Sequence, residues 1–110
     1  MIHKESKIEF TIGLDENRIP ESIDWAASDS GEEPSSAEAI MLSIWDRKEK
    51  SALRIDLWTK EMKMDEMLMF YHQTLVGMAN SLERSTSHPA LSKELQAVAE
   101  KFRKEVGNSR

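Results

Sequence analysis

The strongest constraint on the fold is an alternation of apolar and polar residues over MLSIWDRKEKSALRIDLW, residues 41–58. A period of two is typical of β-strands, because successive side chains point to opposite faces of a sheet. Folding this segment back at 47–50 brings its aliphatic residues into three cross-strand pairs: Ile44–Leu53, Leu42–Ile55 and Ile40–Leu57. The pattern therefore predicts an antiparallel hairpin over roughly 38–59, with one aliphatic face and a turn of four residues or a strained one of two.

The opposite face of this hairpin is unusual because it carries two tryptophans. Two interpretations stay open. Residues 19–27, with Ile23 and Trp25, fold over the face and complete the core, or the face meets another chain. Tryptophan, methionine and arginine are enriched at contacts between proteins, and arginine can serve as a central polar anchor. The candidate interaction residues are Met41, Trp45, Arg54, Asp56 and Trp58.

The segments before the hairpin predict one further strand and one long loop. KIEFTIGL, residues 7–14, alternates well and ends at turn-forming residues, so it predicts a half-buried strand. Residues 19–27 are ambiguous and fit an irregular edge segment, because Pro20 excludes a central strand position there. SDSGEEPSS, residues 28–36, predicts a mobile acidic loop.

After the hairpin, the apolar period changes from two to that of a helix. Apolar residues recur with helical spacing from Met64 to Leu82, and the pattern fades near residues 85–87. A second stripe begins after Pro89, which suits the first position of a helix, and ends at Gly107. The order is β-β-β-α-α. It predicts an α+β fold in which two C-terminal helices pack on one face of an antiparallel sheet of about three strands.

Length and charge limit the class of protein. A chain of 110 residues predicts a single domain over 1–110, and the absence of cysteine excludes disulfides and thiolate metal sites. The net charge of −5 is concentrated in residues 15–38, with eight acids and one base, which argues against nucleic-acid binding. No run is apolar enough to span a membrane and the N-terminus resembles no secretion signal, so we expect no membrane insertion and a cytoplasmic location.

Patterns that indicate catalysis are weak. No two of the three histidines have metal-ligand spacing, and no phosphate-binding loop or nucleophile motif occurs, so we expect no catalytic residues, no metal site, no cofactor and no enzymatic activity. A rival hypothesis is a small-molecule-binding or enzymatic domain, with a pocket between sheet and helices near Tyr71 and His72. A chaperone-like adaptor is a second rival.

Three segments in order resemble the gliding-motility protein GldC family. They are IDWAASDSG, LSIWDRKEKSALRIDLWTKEM and MDEMLMFYHQTLVGMANSLERST, and the likeness extends over about residues 7–86. The resemblance implies a small bacterial accessory protein of the gliding machinery, with no enzymatic activity assigned. The leading hypothesis is a non-enzymatic interaction protein whose hairpin face docks onto itself, as a homo-oligomer, or onto a motility-associated partner.

Overall fold

The structure is a computed structural model that describes residues 1–29 and 33–108. Five strands come first and two helices follow: β1 (Ile8–Leu14), β2 (Pro20–Ala27), β3 (Ser35–Ala37), β4 (Ala39–Trp45), β5 (Ala52–Trp58), α1 (Met64–Thr86) and α2 (Pro89–Asn108). All strand pairs are antiparallel. The α+β class is confirmed, whereas the number of strands is five in two sheets and not three in one.

The chain forms two compact units, a strand unit, Met1–Met62, and a helical unit that begins at Lys63. Each is described by itself. A single domain and the packing of the helices on a sheet therefore stay predictions. Within the described part of the chain, no helix has both the length and the apolar character needed to cross a membrane.

The first sheet has the order β1-β2-β3, so the ambiguous segment 19–27 is its central strand. Pro20 is tolerated because it is the first residue of β2 and pairs only with Leu14 of β1, while β3 pairs with Ile23–Trp25 farther along. Apolar pairs such as Ile12–Ile23 line one face of β1 and β2, and Ile23 is buried. The prediction of an irregular edge segment was wrong because the cross-strand partners that stabilise β2 are distant in sequence.

The acidic loop predicted at 28–36 is shorter than expected. Residues 30–32 lie outside the described residues, and Ser35 and Ser36 belong to β3. Ser36 contacts Asp24 of β2, with 3.2 Å between its Oγ and Oδ1 of Asp24. At Glu38 the chain passes from the first sheet to the second, and the Glu38 carbonyl accepts a hydrogen bond from the Thr59 amide.

The turn between β1 and β2 is stabilised by Asp15. Its Oδ1 accepts hydrogen bonds from the amides of Asn17 and Ile19, and its Oδ2 lies 2.6 Å from Nζ of Lys60. The Asp15 side chain is only 11% exposed. The Lys60 contact, followed by the bond from Ile19, holds the pKa of Asp15 below its usual 3.8, and Asp15 in turn raises the pKa of Lys60.

The helical unit is a pair of helices with small residues at their contact. Ser92 Oγ donates a hydrogen bond of 2.8 Å to the Ala79 carbonyl, and Ala79, Ser92 and Ala99 are buried. The predicted helix bounds are confirmed closely, since α1 ends at Thr86 and α2 begins at Pro89. Ser87 between them adopts the left-handed conformation typical of a helix C-terminus.

Substituting leucine for Ala99 should destabilise the helical unit. The side chain is buried, so the added methylene and methyl groups would overpack the helix contact and lower the free energy of unfolding by about 1–3 kcal/mol. Ala97→Leu on the exposed side of α2 is the matched control, with a change below about 0.5 kcal/mol. Urea unfolding followed by circular dichroism measures both, and equal effects would contradict the described contact.

The Asp15–Lys60 pair should make stability depend on pH. Because the folded-state pKa of Asp15 is depressed, its stabilising effect is present above pH 3.8 and is lost as the pH falls through the folded-state pKa. Asp15→Asn retains an oxygen for the turn bonds and removes the charge. The free energy of unfolding of this variant should be lower than that of the wild type at neutral pH. The difference between the two should shrink below pH 3.8.

Urea unfolding between neutral and acid pH measures this difference. Lys60→Gln is the companion variant, because it removes the main cause of the depressed pKa and should reduce the same pH dependence. A stability difference for Asp15→Asn that is unchanged at acid pH would argue that the charge has no role in the turn.

Candidate functional site

The β4–β5 hairpin has the register that the sequence pattern predicts, including the aliphatic pairs Ile40–Leu57, Leu42–Ile55 and Ile44–Leu53. Its loop has four residues, 47–50. The Asp46 amide bonds to the Ser51 carbonyl, and Asp46 Oδ2 accepts bonds from the amides of Lys48 and Glu49. Directly opposed residues share a face. The other side of the hairpin, here called the tryptophan face, consists of Ala39, Met41, Ser43, Trp45, Ala52, Arg54, Asp56 and Trp58.

Both tryptophans of this face are exposed to solvent. Trp45 is 67% exposed and Trp58 is 56% exposed. With these exposures residues 19–27 do not cover them, and that segment instead forms β2 between β1 and β3. The interpretation in which the face is part of an internal core is therefore wrong.

The tryptophans lie at opposite ends of the face, each opposite a small residue. Trp45 pairs with Ala52 and Trp58 pairs with Ala39. The six steps from position 52 to position 58 correspond to about 20 Å along the strand. The two indoles therefore flank the middle of the face and do not form one cluster.

An ion pair occupies the middle of the tryptophan face. Arg54 Nη2 lies 2.7 Å from Asp56 Oδ1, and Arg54 Nε lies 3.3 Å from Asp56 Oδ2. Across the hairpin Arg54 is opposite Ser43, and Asp56 is opposite the half-buried Met41. An exposed pair of this kind adds little to stability, but its two contacts hold the charged groups in a defined arrangement.

The aliphatic face is also partly exposed, which the sequence pattern did not predict. Ile44, Leu53 and Ile55 were assigned to a covered face, yet each is about half exposed. A signal for this existed in the sequence, because a two-stranded hairpin that is apolar on both faces needs cover on both sides. The exposed surface thus includes both faces of the hairpin near its turn.

Tyr71 and His72, the residues of the rival pocket hypothesis, both contact α2. The Tyr71 ring stacks on the Phe102 ring with centroids 5.7 Å apart. His72 Nδ1 lies 2.7 Å from the Ala99 carbonyl oxygen and must donate, because a carbonyl only accepts. A groove of about 490 Å³ runs along this helix pair, and its lining carries no titratable group: Thr74, Gly77, Met78, Ser81, Leu82, Ser85 and Leu95.

Groups with shifted pKa values are dispersed over the chain. Besides Asp15 and Lys60, the shifts arise in exposed pairs: Glu9 raises the pKa of Lys7, Ser6 and Lys4 lower that of Asp29, and Arg103 lowers that of Glu100. Over residues 1–29 and 33–108, no three histidine or carboxylate side chains come close enough to hold a metal ion. Converging ionisable groups with perturbed pKa values are the usual mark of a catalytic site, and these groups do not converge.

Residues 20–108 match the protein-family model described as gliding motility-associated protein GldC-like. The chain belongs to the GldC-like family. The family resemblance suggested by the sequence segments is confirmed, with different bounds: the match includes α2 and leaves β1 outside. The GldC-like match spans the whole hairpin, so the tryptophan face lies within it. No curated protein and no solved structure matches the chain.

Fluorescence quenching should distinguish the three tryptophans. Trp25 on β2 is half-buried, whereas Trp45 and Trp58 are exposed. In variants that retain one tryptophan, with the others replaced by phenylalanine, acrylamide should quench Trp45 and Trp58 more steeply than Trp25. In urea all three should become equal, and equal slopes in the folded chain would contradict the described exposure.

Proposed function

We infer that this GldC-like chain is a non-enzymatic accessory protein of bacterial gliding motility that docks its tryptophan face onto a protein partner. The observation that carries this proposal is the exposure of Trp45 and Trp58 at the two ends of one strand pair. Large exposed apolar side chains on a structured surface are typical of interaction sites. Membership of a family described as gliding motility-associated supports the motility context.

The chemistry of the face suits a protein partner. Interfaces concentrate binding energy in tryptophan and arginine side chains, surrounded by residues that exclude water. Here the indoles supply apolar area, while the Arg54–Asp56 pair supplies fixed hydrogen-bonding groups between them. Met41, opposite Asp56, adds an adaptable apolar side chain.

The absence of enzymatic activity is part of the same proposal. It is supported by the use of His72 in packing of the two helices and by the dispersal of groups with shifted pKa values. The Arg54 and Asp56 side chains are about half exposed, in solvent that screens their charges. These features favour recognition over acid–base chemistry.

The proposal predicts that serine at Trp45 and Trp58 abolishes partner binding. The double variant should stay folded, because both side chains are exposed, and should lose the capture of motility components from the native bacterium. Cells that carry the double variant in place of the wild type should glide less. Affinity capture with mass spectrometry, gliding assays and circular dichroism measure the three outcomes.

A matched control is the double variant Ile8→Ser and Leu14→Ser, which removes two exposed apolar side chains from β1 of the same unit. It should retain capture and gliding. Undiminished capture and gliding by the folded tryptophan variant would overturn the proposal. Capture of many unrelated unfolded proteins would favour a chaperone-like adaptor. Cell fractionation tests the cytoplasmic location expected from the sequence.

A further inference from the structure

The outer edge of β5 is placed to accept another strand. In the described part of the chain β4 and β5 form a sheet of two strands, with no third strand beside β5. The Asp46 amide bonds to the Ser51 carbonyl at one end of the ladder, and the Thr59 amide bonds to the Glu38 carbonyl at the other. Because hydrogen-bonded pairs alternate along an antiparallel ladder, the odd-numbered residues of β5 bond to β4. Residues such as Asp56 and Trp58 therefore direct their backbone N–H and C=O groups away from β4. Such an edge is a template for strand addition.

The sequence of β5, ALRIDLW, is complementary to itself when two copies run antiparallel. With a two-fold axis at Ile55, the facing pairs are Ile55–Ile55, Arg54–Asp56, Leu53–Leu57 and Ala52–Trp58, each between one copy and the other. Opposite charges face each other twice, aliphatic residues meet aliphatic residues, and each large indole faces a small alanine. Cross-strand pairs of these kinds stabilise antiparallel sheets.

The charges also select this register over its neighbours. Moving one β5 strand by two residues relative to the other keeps each side chain on its face. Moved one way, Arg54 of one copy faces Arg54 of the other; moved the opposite way, Asp56 faces Asp56. Like charges directly opposite each other are destabilising. A shift by one residue puts aliphatic side chains on the tryptophan face. One antiparallel register alone therefore satisfies both charge and size.

We propose that a second copy of this chain pairs with the first along β5, in this register, to form a four-stranded antiparallel sheet. The proposal deepens the proposed function, on which it rests, because it names the chain itself as one partner of the hairpin.

The four-stranded sheet accounts for the exposure of the isolated hairpin. Two-stranded hairpins are marginally stable, whereas three or more strands with an apolar face form stable sheets. Leu53 and Ile55, both about half exposed, would lie beside aliphatic residues of the second copy. On the other face Ala52, already opposite Trp45, would have Trp58 of the second copy on its other side, so two indoles would cover each alanine.

Charge reversal tests the register. Arg54→Asp gives a copy with two acids at positions 54 and 56, and Asp56→Arg gives a copy with two bases. Each single variant should associate with itself more than about tenfold more weakly than the wild type, because like charges then face each other. An equimolar mixture of the two variants should restore a dimer, because every acid then faces a base. The double variant with both substitutions should also be dimeric.

Sedimentation velocity on the full chain, over a range of concentrations, measures these masses, and circular dichroism shows that each variant is folded. The matched control reverses one charge of another exposed pair, formed by Glu9 of β1 and Lys7 just before that strand, which has the same two-residue spacing and a 2.7 Å contact. Lys7→Glu should leave the mass unchanged. The rescue by mixing separates direct pairing of positions 54 and 56 from loss of folding.

A dimeric wild type, disrupted single variants and a rescued mixture would support the proposal. A monomeric wild type, or single variants that remain dimeric, would overturn it. If the wild type is monomeric while partner capture still requires Trp45 and Trp58, this inference fails and the proposed function stands. If the dimer forms as described while the tryptophan variants retain capture and gliding, the proposed function fails and the pairing along β5 stands.

Discussion

Cross-strand pairing between β4 and β5 positions every side chain of the candidate surface, because the parity of an antiparallel ladder assigns each residue to one face. The ladder is closed at one end by the Asp46 turn and at the other by the bond between Glu38 and Thr59. With that register, two tryptophans and an ion pair share one face. A slip of one residue would disperse them among aliphatic side chains.

The two compact units differ in how they bury apolar surface. The helical unit is closed by small residues, Ala79, Ser92 and Ala99, which let α1 and α2 approach closely enough for a side chain to bond to the backbone of the other helix. The hairpin has no such closure, and both its faces expose large side chains. This contrast is the basis of our proposal that the hairpin contacts other chains.

Much of the fold was predictable because it depends on local patterns. The strand at β1, the register of the hairpin and the bounds of both helices follow from periods of 2 and 3.6 and from Pro89 at a helix start. The assignments of β2 and β3 were missed for one physical reason. Residues 20–27 and 35–37 become strands through hydrogen bonds to partners elsewhere in the chain, and neither segment has a strong period of its own.

The sequence by itself determined which residues share the tryptophan face, because alternation, with a turn of either four or two residues, leaves a single register that keeps the aliphatic residues together. Tertiary structure alone decided how that face is exposed. Trp45 and Trp58 are uncovered, and Ile44, Leu53 and Ile55 remain half exposed although their pattern is that of a core. Burial depends on what packs against a strand, and alternation along the strand carries no information about that neighbour.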